Sequence, residues 1–243
     1  MSQQLKVSQF FRVMGEADND LNFKGNLNPH KIFREWNFKE LALNETNEYT
    51  KFVDTTSAVA LANGGITLTT AATDTKTCSY AFGGIHVLCA KNPIVEFKFQ
   101  LDVIGNVAIN AVLTDATAEI TALLPFLIDG TTITDTCTNG VGFCFDTAQD
   151  TDRFYIVNTI AGAGGGTLLS ATQAPFAAAT DIRVRIRLDS SGNAHYYYNG
   201  KQVGYKALAT TAATALVPYF GIRNRNASAH VATLRYVRLW EDV

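Results

Sequence analysis

Hydrophobic and polar positions along the chain fall into two regimes. From about residue 50 onward, short runs of β-branched and aromatic residues alternate with clusters of Gly, Asn, Asp and Thr, which predicts a sandwich or barrel. The run Ile182-Arg-Val-Arg-Ile-Arg-Leu188 is the plainest: its even positions are aliphatic and its odd ones are Arg183, Arg185 and Arg187. A period of two turns the aliphatic face to a core and the arginines to solvent. The same reasoning predicts strands over 65–70, 79–82, 94–103, 107–113, 142–145, 154–159, 194–198, 201–207, 219–223 and 232–240. In the last of these, Leu234, Tyr236 and Trp240 share one parity and Val237 and Leu239 the other, a pattern that fits cover on both faces. Ser190-Ser-Gly-Asn193 and Asn199-Gly200 carry the chemistry of tight hairpin turns. The small-residue stretches 161–167 and 209–214 read as exposed loops, and no helix of ordinary length is predicted.

Residues 1–35 mix Lys, Arg, Asp, Asn and Phe without alternation and read as an irregular arm. Within and just beyond it, Asn28-Pro-His-Lys-Ile-Phe-Arg-Glu-Trp36 reads as a short helical turn opened by Asn-Pro. The expected organisation is therefore an arm over 1–35 followed by one sandwich domain over 36–243, since all-β domains commonly exceed 200 residues.

Composition narrows the partners. A hydrophobic share of 47% against 17% charged supplies a core, and a net charge of −2 offers no footprint for neutralising nucleic-acid phosphates. The apolar run 122–128 is far shorter than the roughly 20 residues that span a bilayer, so no membrane partner is expected. The polar start Met1-Ser-Gln-Gln-Leu-Lys lacks the apolar stretch of a secretory leader, and the chain is expected to stay inside its cell or to leave by lysis.

Cys78 and Cys89 are spaced C-x10-C, and Cys137 and Cys144 C-x6-C, neither being the C-x2-C pair of zinc ribbons. Each pair brackets a Gly-containing centre, so two hairpin disulfides and four buried free thiols are both open readings.

Residues 181–204, from Asp181 through the arginine strand, the Ser-Ser-Gly-Asn turn, His195-Tyr-Tyr-Tyr and Asn-Gly to Gly204, resemble a hairpin series of the concanavalin-like (laminin-G-like) jelly rolls. Val217-Pro-Tyr-Phe-Gly-Ile-Arg-Asn-Arg-Asn226 with residues 232–242 resembles that fold's last two strands, and residues 92–102 an early core strand. Within that superfamily the chain looks most like structural proteins of tailed bacteriophages, where such a domain follows a short arm; Gly142 to Tyr155 is similar in style. The resemblance implies an antiparallel jelly-roll sandwich that decorates a capsid exterior as a cement subunit. Its expected partners are the major capsid protein and like subunits in a homo-oligomer. A carbohydrate-binding adhesin of a phage tail or head fibre, with a surface glycan as partner, is the alternative.

Glucanases of the same fold carry alternating acids on one strand, because retaining hydrolysis needs two carboxyls about 5–5.5 Å apart. Here Glu16-Ala-Asp18-Asn-Asp20 has the spacing but lies in the arm, and Glu96 is followed by Lys98, Gln100 and Asp102. The expectation is a non-enzyme with no catalytic, cofactor or metal residues. Asp146, Asp150 and Asp152 read as a solvated acidic turn before a Ca²⁺ site. Tyr196, Tyr197 and Tyr198 must point to alternate faces, so they cannot form one sugar platform. His30, His86, His195 and His230 have no partner at a telling spacing and read as ordinary polar or packed residues. Arg183, Arg185 and Arg187, with Arg223, Arg225, Arg235 and Arg238, read as solvated faces able to meet an acidic capsid surface.

Overall fold

The computed structural model describes residues 31–38, 50–54, 56–62, 64–82, 86–116 and 124–242. Seventeen strands run through them. In chain order they are β1 (Lys31–Trp36), β2 (Thr50–Val53), β3 (Ala58–Ala62), β4 (Gly65–Thr69), β5 (Thr77–Ala81), β6 (Ile94–Leu101), β7 (Val107–Thr114), β8 (Phe126–Asp129) and β9 (Thr132–Asp135). They continue with β10 (Gly140–Asp146), β11 (Phe154–Ile160), β12 (Ala163–Leu168), β13 (Ile182–Leu188), β14 (Ala194–Tyr198), β15 (Lys201–Lys206), β16 (Val217–Asn224) and β17 (Val231–Asp242). A single 3₁₀ turn, Cys89–Lys91, is the one helical element among the described residues.

These strands make an all-β antiparallel sandwich. One sheet has eight strands in the order β15-β14-β13-β6-β17-β4-β3, with β1 also paired to β17; the other has seven in the order β12-β11-β10-β7-β16-β5-β2. Between them lies the main core. Ile182, Val184, Ile186 and Leu188 all point inward as the alternation requires, against Phe143, Phe145 and Phe154 of the facing sheet. Phe154 touches five rings: Phe99, Phe143, Phe145, Phe176 and Tyr198. Each buried aromatic of this kind contributes about 2–3 kcal/mol of apolar transfer energy.

The strands β7, β10 and β16 are buried at every position, which explains why they read as apolar runs without alternation. Their outer face is covered by the β8-β9 hairpin, and Leu124, Phe126 and Ile128 form a second core with Val112, Cys144, Val157 and Tyr219. Asn110 fixes the hairpin like an extra strand: its Nδ2 donates to the Phe126 carbonyl at 2.9 Å and its Oδ1 accepts the Phe126 N–H at 2.8 Å. On the neighbouring strand β10, Asp146 accepts the Ile128 N–H at 3.0 Å.

Several expectations are corrected. Lys31–Trp36 is a strand and not a helical turn, its alternation matched to β17 so that Trp36 packs on Phe82 and Glu35 meets Arg238. Ala163–Leu168 is an edge strand and not a loop. Two of its glycines lie against β9: a Cβ on Gly166 would meet Ile133 at 2.4 Å and one on Gly164 would meet Asp135 at 2.9 Å. In β17 a register shift between Leu234 and Tyr236 changes the parity, so Leu234, Val237 and Leu239 share the core face and Tyr236, Arg238 and Trp240 the outer one. Asn199 and Gly200 both have positive φ, 47° and 86°, as the predicted two-residue turn demands. Residues 1–30 of the expected arm, with His30, Glu16, Asp18 and Asp20, lie outside the described residues.

All four cysteines are free and buried. The hairpin pairing fails because Cys89 sits in the 3₁₀ turn and Cys137 before β10, neither on the strand opposite its partner. Burial pushes the Cys137 thiol up to about 12 and raises the other three as well. Since the thiolate is the reactive form, iodoacetamide is expected to leave the native protein unlabelled over an hour and to label all four sites in denaturant, counted by intact mass. Native labelling of Cys78 or Cys144 within minutes would show that those sheets open.

Candidate functional site

On the outer face of the eight-stranded sheet, strand register lines up Tyr197, Arg185, Glu96, Arg238 and Glu35 across β14, β13, β6, β17 and β1. Arg185, expected in solvent, is 2% exposed. Its Nε donates to Glu96 at 2.8 Å, and its guanidinium lies 5.5 Å from the Trp240 ring centre. Glu96 is fully buried and also accepts the Tyr236 hydroxyl at 2.8 Å. Burial first, and then the Glu96 carboxylate, push the Tyr236 phenol up, so it stays the donor. Arg238 pairs with Glu35 at 2.9 Å and stacks on Tyr236 at 4.2 Å. Glu96 is therefore an internal counter-ion, buried under the side chains that surround it.

The other expected residues separate by place. The Asp146 carboxylate, fully buried, is taken up by Arg225 and by the N–H groups of Ile128 and Ala148, while Asp150 and Asp152 are exposed. No group of three His, Cys, Asp or Glu able to hold a metal occurs among the described residues. Arg223 is buried against β5 and β7, and Arg235 reaches Gln100 and Asp181. His230 is buried near Asn226, and His86 is exposed. Asp102 is exposed and accepts the Val103 N–H. Tyr196 and Tyr198 point into the core and Tyr197 to the outer face, as the period requires.

The surface that brings exposed aromatic and polar groups together is the sandwich edge formed by β11, β12, β14 and β15. Asn199-Gly200 folds β15 back on β14, and a register shift between Tyr196 and Tyr197 sets His195 opposite Tyr205. Their rings are 4.9 Å apart, and Tyr205 is 53% exposed. The Gln202 amide lies 3.4 Å from His195 Nδ1. Beside them is a shallow pocket of about 40 Å³ lined by Ile156, Asn158, Gly166, Thr167, Tyr196, Tyr205 and Lys206. Tyr196 forms a fixed wall, because its hydroxyl donates to the Val157 carbonyl at 3.2 Å. The edge thus offers a stacking surface with amide, hydroxyl and ammonium groups around it. Sequence reasoning placed His195 among ordinary histidines and did not single out Tyr205; the Asn-Gly turn brings β14 and β15 together, but regular pairing from it would set His195 opposite Gly204, and the bulge moves Tyr205 there.

No protein-family model and no curated protein matches the sequence. Solved structures do match in fold. A Bacillus licheniformis β-glucanase shares 10% identity at a TM-score of 0.59, covering 85% of this chain and 97% of its own. The laminarinase catalytic domain of Thermotoga maritima shares 9% at 0.60, covering 86% and 97%. The Emp46p carbohydrate recognition domain, in its potassium-bound form, shares 9% at 0.58, covering 85% and 95%. These neighbours are glycoside hydrolases and a carbohydrate recognition domain, and nothing among them points to a virion protein. The expectation of a non-enzyme is corrected on this finding: the architecture is one that glucanases and laminarinases share, so a missing acidic strand motif was insufficient ground for excluding catalysis. At this identity the likeness establishes the fold, and the chain has the concanavalin-like jelly roll.

Proposed function

We propose that this chain binds carbohydrate at the edge formed by β11, β12, β14 and β15. Tyr205 carries the reading: a large ring, 53% exposed, stands against His195 on the lip of a pocket that presents Asn158, Thr167 and Lys206. A phenol ring offers an apolar face to the C–H surface of a sugar ring, and the surrounding polar groups can fix hydroxyls. The likeness in fold to a carbohydrate recognition domain supports the same reading.

A glycan array with the full chain tests it, followed by titration of the best ligand. Tyr205→Ala is expected to weaken binding at least tenfold, about 1.4 kcal/mol, while stability stays within about 0.5 kcal/mol because the ring is exposed. A silent array, or unchanged affinity in the variant, would overturn the assignment. Because hydrolases share the fold, the same glycans are assayed for released reducing ends. Capsid decoration, the role implied by the resemblance, is the competing reading, and cosedimentation with capsids lacking this protein separates the two.

A further inference from the structure

We infer that the glycan taken at this edge is acidic, carrying uronate carboxylates; the inference rests on the carbohydrate reading above. The chain as a whole has a net charge of −2, yet residues 154–216, which supply β11 to β15, hold five Lys and Arg against two Asp. Side-chain pairing sharpens the imbalance. Arg185 is neutralised by Glu96, and Asp181 is already engaged by Lys98 and Arg235 from neighbouring strands. Arg187, Lys201 and Lys206 are exposed and, among the described residues, have no carboxylate within ion-pair distance.

These three cations lie on β13 and β15, the strands that flank β14 at this edge. Arg187 stands opposite His195, which stands opposite Tyr205, so the three side chains form one row across β13, β14 and β15. Lys206 lines the pocket, and Lys201 opens the same strand after the Asn-Gly turn. The nearby acid is Asp189. Burial works to raise its carboxyl, but hydrogen bonds from Asn193 and Ser191 outweigh it and hold the group below the usual carboxylate range. The carboxylate therefore stays ionised at the β13-β14 turn and acts on His195, a single negative charge set against Arg187, Lys201 and Lys206. A sugar lying along this edge would meet Arg187 on the outer face beyond His195 and Lys206 at the pocket, an arrangement that favours a carboxylate-bearing sugar over a neutral one.

The test is titration of the full chain with polygalacturonate and with a neutral β-glucan at low and high salt. The expected result is preference for polygalacturonate by at least tenfold, falling several-fold as NaCl rises from about 50 to about 200 mM. The double variant Arg187→Gln/Lys206→Gln, with both changes at exposed positions, should erase the preference and leave the melting temperature unchanged. Equal affinity for the neutral and acidic polymers would overturn the acidic assignment and leave the glycan reading standing. Binding to neither polymer, with a silent array, would overturn both. Equal displacement by single-stranded DNA would reveal a general polyanion surface and also overturn the acidic-glycan assignment.

Discussion

Replacing Glu96 with leucine is expected to cost the folded state about 3–5 kcal/mol, read as a lower urea midpoint with an unchanged m-value. The cost lies in what is left behind. Arg185 is 2% exposed, and its close anionic partner is the Glu96 carboxylate, with the Trp240 ring on another side. Without Glu96 a guanidinium remains out of water with no counter-ion, and the Tyr236 hydroxyl loses its acceptor as well. The double variant Glu96→Leu/Arg185→Leu should recover most of the loss, because buried ion pairs gain little over apolar residues of similar volume. A cost below about 1 kcal/mol for Glu96→Leu would mean that Arg185 swings out to solvent, and the row from Tyr197 to Glu35 would then be a surface ladder.

That ion pair also marks where sequence reasoning stops. The parity of β13 places its three arginines on one face, and the structure agrees, but parity is silent about what lies above that face. The cover comes from Glu96 on β6, next to β13, and Trp240 on β17, one strand further, a nearness set by the order of strands in the sheet. The well-read strands have strong local signals: alternation in β13, turn chemistry between β14 and β15, and dense apolar runs in β7 and β10. The missed ones are short or lack such signals. β1 contains Lys31, Arg34 and Glu35 and becomes a strand by pairing with β17, while β12 carries three glycines, of which Gly164 and Gly166 lie under the β8-β9 hairpin. For the site, period two correctly barred three consecutive tyrosines from forming a platform. Tyr205 meets His195 instead through a strand pairing and a bulge that no local pattern announces.

Phe126→Ala is expected to destabilise the whole domain by about 3–5 kcal/mol, and the form of the loss decides what the β8-β9 hairpin is. The Phe126 ring is fully buried, and its edge packs so closely on β10 that a Cβ at Gly140 would come within 3.1 Å of it. The hairpin is also held by polar groups from the sheet beneath: Asn110 pairs with the Phe126 backbone and Asp146 accepts the Ile128 N–H. Lifting the hairpin would strip the fully buried Asn110 amide of its Phe126 partners and take one donor from Asp146, which keeps Arg225 and the Ala148 N–H, a further penalty against separation. An element joined in this way should unfold with the sandwich, giving one cooperative transition by both fluorescence and circular dichroism. A hairpin that was a separable cover would behave differently: Phe126→Ala would leave the global midpoint within about 0.5 kcal/mol and create a protease-sensitive site near residues 124–136. The cooperative outcome would assign the outer face of the seven-stranded sheet to the interior of the protein and leave the β12-β15 edge as the surface on which a ligand can act.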